Sequence, residues 1–176
     1  YSFDFIANKF SKFEKLKPLI VGETIIDQYI FCEVLGKSGK EPHLVIKDEY
    51  KESYLGGAGA IANHLSSFCN KINFITCIGD HNNYLNFIKK KLNKNINSKF
   101  VIKKNSPTIL KKRLLDSISR NKLFGVYSMN DQVVDLQTTK KIINNLKGNF
   151  SKSDLIIVSD YGHGFISENL ANKVSK

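Results

Sequence analysis

The sequence has little of several residue types, and these shortages limit what the protein can be. Its 176 residues include no Trp, one Met, three Pro and three Cys. Cys32, Cys69 and Cys77 are far apart, odd in number and without metal-ligand spacing, so they predict a reducing, cytoplasmic compartment and no bound metal. No apolar run approaches the length of a membrane span, so no membrane partner is predicted.

The first 17 residues mix aromatic and charged side chains and have no apolar core of a signal peptide. Residues 1–17 are predicted to form a short amphipathic helix or a domain junction, because apolar side chains recur there at helical spacing: Phe5, Ile6, Phe10, Phe13 and Leu16. Because the chain begins without Met, we expect it to be cut from a longer protein.

Positive charge is in excess, with a formal net charge of +11 and an isoelectric point of about 9.5. Such an excess is found in nucleic-acid-binding domains. The lysines are nevertheless spread along the chain, and no aromatic-interleaved basic motif is present. A solvated surface that also attracts anionic substrates is the favoured interpretation, and nucleic-acid binding stays an alternative.

The remaining composition is that of a folded domain. Its most distinctive segment is the glycine-rich stretch at 54–65. Gly56, Gly57 and Gly59 come immediately before an apolar helical pattern at residues 57–69. Glycines let a ligand approach the backbone, where the first N–H groups of a helix are free. The spacing fits neither the dinucleotide nor the P-loop fingerprint. A tight turn before a buried helix is the alternative interpretation.

Short apolar runs alternate with helical patterns along the chain, which predicts an α/β fold with a mostly parallel sheet. Predicted strands cover residues 19–22, 72–78, 100–102, 108–115, 122–129 and 154–160, and predicted helices cover 81–92, 136–146 and 166–174. Between the first strand and the glycine helix, strand-forming residues at 29–55 surround a turn at 36–42. This excursion predicts a small separate β layer that acts as a lid.

Several polar residues lie where a ligand is expected. Asp27 and Asp160 follow buried strands, and ligands of open α/β sheets collect at the carboxyl ends of strands. Asp27 is suited to accept hydrogen bonds from sugar hydroxyls, and capping of a turn is the alternative for both carboxylates. Lys111 and Arg113 share one face of a strand, where they are either an anion site or two solvated charges.

Five segments, in order and at similar separations over residues 18–176, resemble the ribokinase-like (PfkB) carbohydrate kinases. The resemblance is greatest to the branch of the bacterial D-glycero-D-manno-heptose 7-phosphate kinases. The segments are Val-Gly-Glu-Thr-Ile-Ile-Asp at 21–27, the loop at 36–42, the Gly-Gly start at 56–57, Pro-Thr-Ile-Leu-Lys-Lys-Arg at 107–113 with Arg120 and Asn121 following, and Ser-Asp-Tyr-Gly-His-Gly at 159–164.

This resemblance implies an open sheet with a β lid over residues 29–55 and 107–128, incomplete at the C-terminus. It implies that a sugar or sugar phosphate lies beneath the lid and that lid-loop residues close over it. The implied substrate-binding residues are Asp27, Gly56, Gly57, Asn63, Lys40, Glu41, Lys111, Arg113 and Asp160. Asn63 enters as a substitute because Ala60 occupies the position where the family has Asn, and His163 stands where the family often has Lys.

The family's catalytic base, anion hole and adenine site lie in a C-terminal half that this sequence does not contain. The resemblance thus implies an ATP- and Mg²⁺-dependent kinase of which this chain supplies the sugar-binding half, with no catalytic residue of its own. The isolated chain is expected to be inactive, to form homodimers through the lid and to be joined in some relatives to a nucleotidyltransferase. A non-catalytic sugar-binding or dimerisation module is the alternative function.

Overall fold

The structure is a computed structural model that describes residues 2–175. Strands and helices alternate along this part of the chain, as the sequence predicts. In chain order they are α1 (Phe3–Phe13), β1 (Pro18–Lys37), β2 (Leu44–Gly56), α2 (Gly57–Ser66), β3 (Ile72–His81), α3 (Leu85–Lys91), β4 (Ile96–Pro107), β5 (Ile109–Asp116), β6 (Lys122–Ser128), α4 (Leu136–Phe150), β7 (Leu155–Ser159) and α5 (Glu168–Val174).

The lower half of β1 is the centre of a parallel sheet. Residues 19–23 pair with β3, residues 18–22 pair with β7, and β3 pairs in turn with β4. Both faces of this half-strand are buried, which is why its sequence is a continuous apolar run rather than an alternating one. The predicted α/β class, with a mostly parallel open sheet flanked by helices, is confirmed.

Helices cover the two faces of this sheet. On one face, Ile142 and Leu146 of α4 and Leu170 of α5 pack in a cluster with Leu19 and Val21. On the other face α2 packs closely, because it presents small side chains such as Ala58 and Ala62 to the sheet. The core therefore consists of two layers with β1 between them. No helix within residues 2–175 combines the length and apolar character that crossing a membrane requires.

The upper half of β1 corrects the prediction of a separate β layer. The strand continues without a break from Pro18 to Lys37, and residues beyond Thr24 change partners to β2, which is antiparallel, and β5, which is parallel. β6 completes this half as the antiparallel partner of β5. We call the upper half of β1, with β2, β5 and β6, the lid sheet. A parallel partner is possible here because the chain crosses back through α2, β3, α3 and β4.

Other boundaries differ more modestly. β4 is longer than the predicted strand at 100–102, because its pairing with β3 extends from Ile72 to His81. α1 ends at Phe13, and the hydroxyl of Ser2 caps its first turn by accepting from Phe5 N at 3.2 Å. The division between residues 1–17 and a domain of residues 18–176 stays a prediction, and Tyr1 and Lys176 lie outside the described residues.

Candidate functional site

One face of the lid sheet carries a polar cluster whose members come from all four strands. Asp27 of β1 pairs with Tyr54 of β2 on one side and Lys111 of β5 on the other. Two residues further along β1, Tyr29 pairs with Arg113. Since paired residues and residues two apart in a strand share a face, these side chains lie on the same surface. Lys111 and Arg113 thus reach the same face as Asp27.

Asp27 and Arg113 form an ion pair in which Arg113 Nη1 donates to Asp27 Oδ1. Their side chains are 23% and 20% exposed, so the pair is partly shielded yet open to a ligand from one side. The hydrogen bond to Asp27 raises the pKa of the Arg113 guanidinium above its ordinary value, despite some loss of solvation. The guanidinium charge therefore persists at neutral pH, and a ligand with hydroxyl and anionic groups finds an acceptor, Asp27, beside a donor.

Aromatic rings surround the two cations. The Arg113 guanidinium lies 5.6 Å from the ring centroid of Tyr29 and 5.8 Å from that of Tyr127, and Lys111 Nζ lies 5.9 Å from Tyr127. Tyr54 stands edge-on to Tyr29 at 6.0 Å between centroids. Cation–π contacts of this kind hold the cations over the lid face. We call Asp27, Lys111, Arg113 and these three tyrosines the lid cluster.

Sequence reasoning missed the tyrosines of the lid cluster. Tyr29 follows Asp27 at a spacing of two within a strand-forming run, and that period would have placed both on one face. Tyr54 and Tyr127 carried no such signal, because only the register of β2 and β6 brings them to Asp27 and Lys111.

The glycine pair is packed against this cluster, as expected for a close approach. A Cβ atom on Gly56 would lie 2.1 Å from Asp27 Oδ2, so the carboxylate occupies the space that a side chain would fill. Gly57 begins α2 with φ of +57°, a left-handed conformation that L-residues avoid, and a Cβ there would lie 2.5 Å from the carbonyl oxygen of Glu23. The backbone geometry requires glycine at position 57, and Gly56 directly borders the Asp27 side chain.

Asp160 lies at a second location, directly after β7, where the pairing of β7 with β1 ends. Its carboxylate accepts from Gly162 N at 2.9 Å and is otherwise exposed. The loop at 160–165 is held by Glu23, whose buried carboxylate accepts from the backbone N–H groups of Tyr161, His163 and Phe165 at 2.9, 3.1 and 3.3 Å. Four residues of β1, about 13 Å, separate Glu23 from Asp27 along the strand.

Glu23 is a functional candidate that sequence reasoning did not single out. Its side chain is only 1% exposed, although it is charged and lies among apolar strand residues. A carboxylate directly after the run at 19–22 was the available signal, since buried acids require partners.

A small cavity of about 20 Å³ lies beside Glu23, near the carboxyl ends of β3 and β4. Cys77, Lys103 and His163 help to line it. Burial raises the pKa of the Cys77 thiol to about 12, so the thiol stays protonated. Within residues 2–175, His163 Nε2 is buried without a hydrogen-bond partner. A cavity of this size holds about one water molecule and is too small for a sugar.

Three of the predicted site residues lie away from the lid cluster. Asn63 points to the turn after α3, where its amide donates to Lys91 O at 2.9 Å and accepts from Asn93 N at 3.1 Å. Lys40 and Glu41 form the exposed tip between β1 and β2. That tip is ten or more residues beyond Asp27 along β1, about 30 Å. Asn63 thus has a structural role here, and the tip is too far to close over Asp27 in this conformation.

No group of three or more His, Cys, Asp or Glu side chains in the described part of the chain is arranged to hold a metal ion. The lid cluster offers a single carboxylate, already engaged by Arg113. The residues present therefore fit a hydroxylated, anionic ligand rather than a bound Mg²⁺.

The fold itself has known counterparts among sugar kinases. Phosphofructokinase-2 from Escherichia coli, in complex with fructose 6-phosphate, matches with a TM-score of 0.64 and 12% identity over 91% of this chain and 50% of that one. Arabidopsis thaliana ribokinase, complexed with ribose and ATP, matches with a TM-score of 0.50 and 15% identity over 82% of this chain and 45% of that one. The chain therefore has the ribokinase-like fold, and its resemblance to these carbohydrate kinases is confirmed.

In sequence the chain is similar to bifunctional proteins HldE. The HldE of Aliarcobacter butzleri is 32% identical over 163 residues, which are 92% of this chain and 34% of that protein. The chain thus spans about a third of the length of the curated relatives it matches. No family model matches it.

Proposed function

We propose that this chain is the sugar-binding part of an ATP-dependent kinase that phosphorylates a sugar or sugar phosphate, with a heptose phosphate as the favoured substrate. The observation that carries the proposal is the lid cluster on one face of the lid sheet, with Asp27 and Arg113 paired and bordered by Gly56. The similarity to HldE and the ribokinase-like fold support it.

The lid cluster has complementary parts for such a substrate. The Asp27 carboxylate accepts hydrogen bonds from hydroxyl groups, and Lys111 and Arg113 attract a phosphate, for which the planar guanidinium has the better geometry. Tyr29 and Tyr127 offer ring faces that exclude water from a sugar ring. A bound phosphate would compete with Asp27 for Arg113 and release the carboxylate toward the sugar hydroxyls.

Phosphoryl transfer also requires a nucleotide, a metal ion and a base, and ATP with Mg²⁺ supplies the phosphoryl group and neutralises its charge. The described residues show no donor set for the metal. Our proposal therefore assigns ATP, Mg²⁺ and the catalytic base to the complete enzyme, and assigns binding and orientation of the sugar to this chain. A cytoplasmic location remains a prediction from the cysteine usage.

Ligand-induced stabilisation tests the proposal. The melting temperature of the 176-residue chain is measured with D-glycero-D-manno-heptose 7-phosphate, fructose 6-phosphate, ribose and inorganic phosphate. A ligand at 100 times its Kd adds about 2.7 kcal/mol to the stability of the folded state. We expect a shift for the sugar phosphates that disappears in Asp27→Ala and persists in Glu33→Gln, a variant of an exposed carboxylate on the same strand. A folded chain that no sugar phosphate stabilises would contradict the proposal.

A second candidate is a non-catalytic dimerisation module, and one observation favours it. The lid-sheet face opposite the lid cluster carries Ile30, Leu114 and Phe124 in register, with Phe124 46% and Val126 48% exposed. An apolar face of this kind is suited to pair with a second copy. Sedimentation of the wild type against Phe124→Lys tests it, because a lid dimer would dissociate in the variant. Nucleic-acid binding still rests on net charge alone.

A further inference from the structure

The loop at 160–165 is fixed by more buried polar contacts than a surface turn needs. Glu23 accepts from three of its backbone N–H groups. On the opposite side, Lys103 of β4 donates from Nζ to the carbonyl oxygens of His163, at 3.0 Å, and of Asn130. Glu23 thus binds N–H groups of the loop, and Lys103 binds one of its carbonyl groups.

The segment at 130–134 completes this arrangement. Val134 N donates to Gly164 O at 2.9 Å, and His163 Nδ1 lies 2.7 Å from Asp131 Oδ1. Lys103 bridges the segment and the loop, because it donates to one carbonyl oxygen in each. Residues from β1, β4 and the segment before α4 therefore all determine where the loop lies.

Stability alone does not account for charged groups at these positions. Glu23 is 1% exposed and Lys103 is 8% exposed, and burying two such groups costs solvation that their mutual attraction only partly returns. Burial accordingly lowers the pKa of the Lys103 amine, while Cys77, Asp131 and Glu23 oppose that shift. Apolar side chains would fill the space as well, but they would not direct hydrogen bonds to chosen backbone groups.

We propose that Glu23 and Lys103 are positioning residues that hold the loop at 160–165 so that Asp160 meets the substrate at the carboxyl end of β7. This inference rests on the proposed function, in which Asp160 is a substrate contact. Neither residue touches the substrate in this scheme. Their effect passes through the backbone of residues 161–165 and ends at the Asp160 carboxylate.

The experiment combines two readouts on the 176-residue chain. Amide hydrogen exchange of Tyr161, His163 and Phe165 reports the loop itself, and the Kd for D-glycero-D-manno-heptose 7-phosphate reports the site. The variants are Glu23→Gln, Lys103→Met, Asp160→Asn and the double variant Glu23→Gln/Asp160→Asn. Glu33→Gln is the matched control, since Glu33 lies on the same strand in an exposed pair with Lys47.

We expect Glu23→Gln to speed exchange of the three loop amides about tenfold or more while strand β3 stays protected. The Kd should rise about tenfold in Glu23→Gln, and Lys103→Met should act in the same direction. The effects of Glu23→Gln and Asp160→Asn on Kd should not add, because one acts through the other. A merely structural role would leave the double variant additive.

Each other outcome is decisive. Unchanged loop exchange in both Glu23→Gln and Lys103→Met overturns the inference, and so does faster exchange with an unchanged or additive effect on Kd. If the wild-type chain binds no sugar phosphate, the proposed function fails together with the role toward substrate. Loop exchange then still shows whether Glu23 fixes the loop, so the two failures are distinguishable.

Discussion

Strand β1 carries two carboxylates, four residues apart, whose surroundings differ. Glu23 ends the half of the strand buried in the parallel sheet and satisfies three backbone N–H groups of another loop. Asp27 lies in the lid sheet, partly exposed, and pairs with the guanidinium of Arg113. The Glu23 carboxylate therefore binds backbone N–H groups of the protein, and the Asp27 carboxylate is exposed enough for a ligand to reach it.

The two acids differ because the surroundings of β1 change between residues 23 and 27. At Glu23 the neighbouring strand β3 and the loop at 160–165 exclude water, so the acid must be fully hydrogen-bonded by the fold. At Asp27 the partners of β1 have changed to the lid strands, and one face is open. Removal of Glu23 should therefore mainly lower the free energy of unfolding, whereas removal of Asp27 should mainly weaken ligand binding.

Glu23→Ala should lower the free energy of unfolding by about 4 kcal/mol, because it leaves buried N–H groups and Lys103 without their acceptor or counter-charge. Asp27→Ala, the matched variant, should cost about 1 kcal/mol, since Arg113 can turn to solvent. Urea unfolding of the two variants measures the difference. Equal losses of unfolding free energy in the two variants would show that the fold does not depend more on Glu23 than on Asp27.

Gly57→Ala should cost about 3 kcal/mol, because alanine must adopt a left-handed φ and its Cβ would meet the carbonyl oxygen of Glu23. The clash is with backbone, which cannot move aside without shifting β1. Thermal unfolding checks the prediction. Gly148→Ala, at a glycine of α4 with open space around it, is the control and should not destabilise the chain.

Gly56→Ala should cost less, about 1 kcal/mol, because the obstructing atom is the end of the Asp27 side chain, which can rotate. The rotation would separate Asp27 from Arg113, so sugar-phosphate binding should be lost while the fold is kept. Calorimetric titration with heptose 7-phosphate, beside the melting curve, tests this. Retained affinity would mean that Asp27 does not contact the ligand.

Asn63→Ala should cost about 1 kcal/mol through loss of its two hydrogen bonds to the turn after α3. Its Kd for a sugar phosphate should equal that of the wild type, because Asn63 does not reach the lid cluster. A weakened Kd would restore the sequence-based prediction that Asn63 replaces the family's asparagine.

The sequence predicted most of the local structure because local structure follows local patterns. The apolar run at 19–22 identified a buried parallel strand, and the spacing of Ala58, Ile61 and Ala62 identified α2. The spacing of Lys111 and Arg113 placed both on one face, as the structure shows them. The continuity of β1 was not predictable in the same way, since a change of partners at Thr24 leaves no break in the strand's own sequence.

The structure brings together only part of the predicted site. Asp27, Gly56, Lys111 and Arg113 meet on the lid face, whereas Asn63 and the tip at Lys40 and Glu41 lie elsewhere. Asn63 faces the turn after α3, and the tip lies at the far end of a long hairpin. Neither position could be predicted without the register of the strands, and the role of each residue toward a substrate stays a prediction.

The sequence by itself determined the order of strands and helices, the glycines that allow close packing and the shared face of Lys111 and Arg113, because these depend on neighbours along the chain. Only the tertiary structure decided that Glu23 is buried beneath the loop at 160–165 and that Asp27 pairs with Arg113. Those contacts join residues 86 to 142 positions apart. Their geometry follows from strand register, which is set by the packing of the whole sheet.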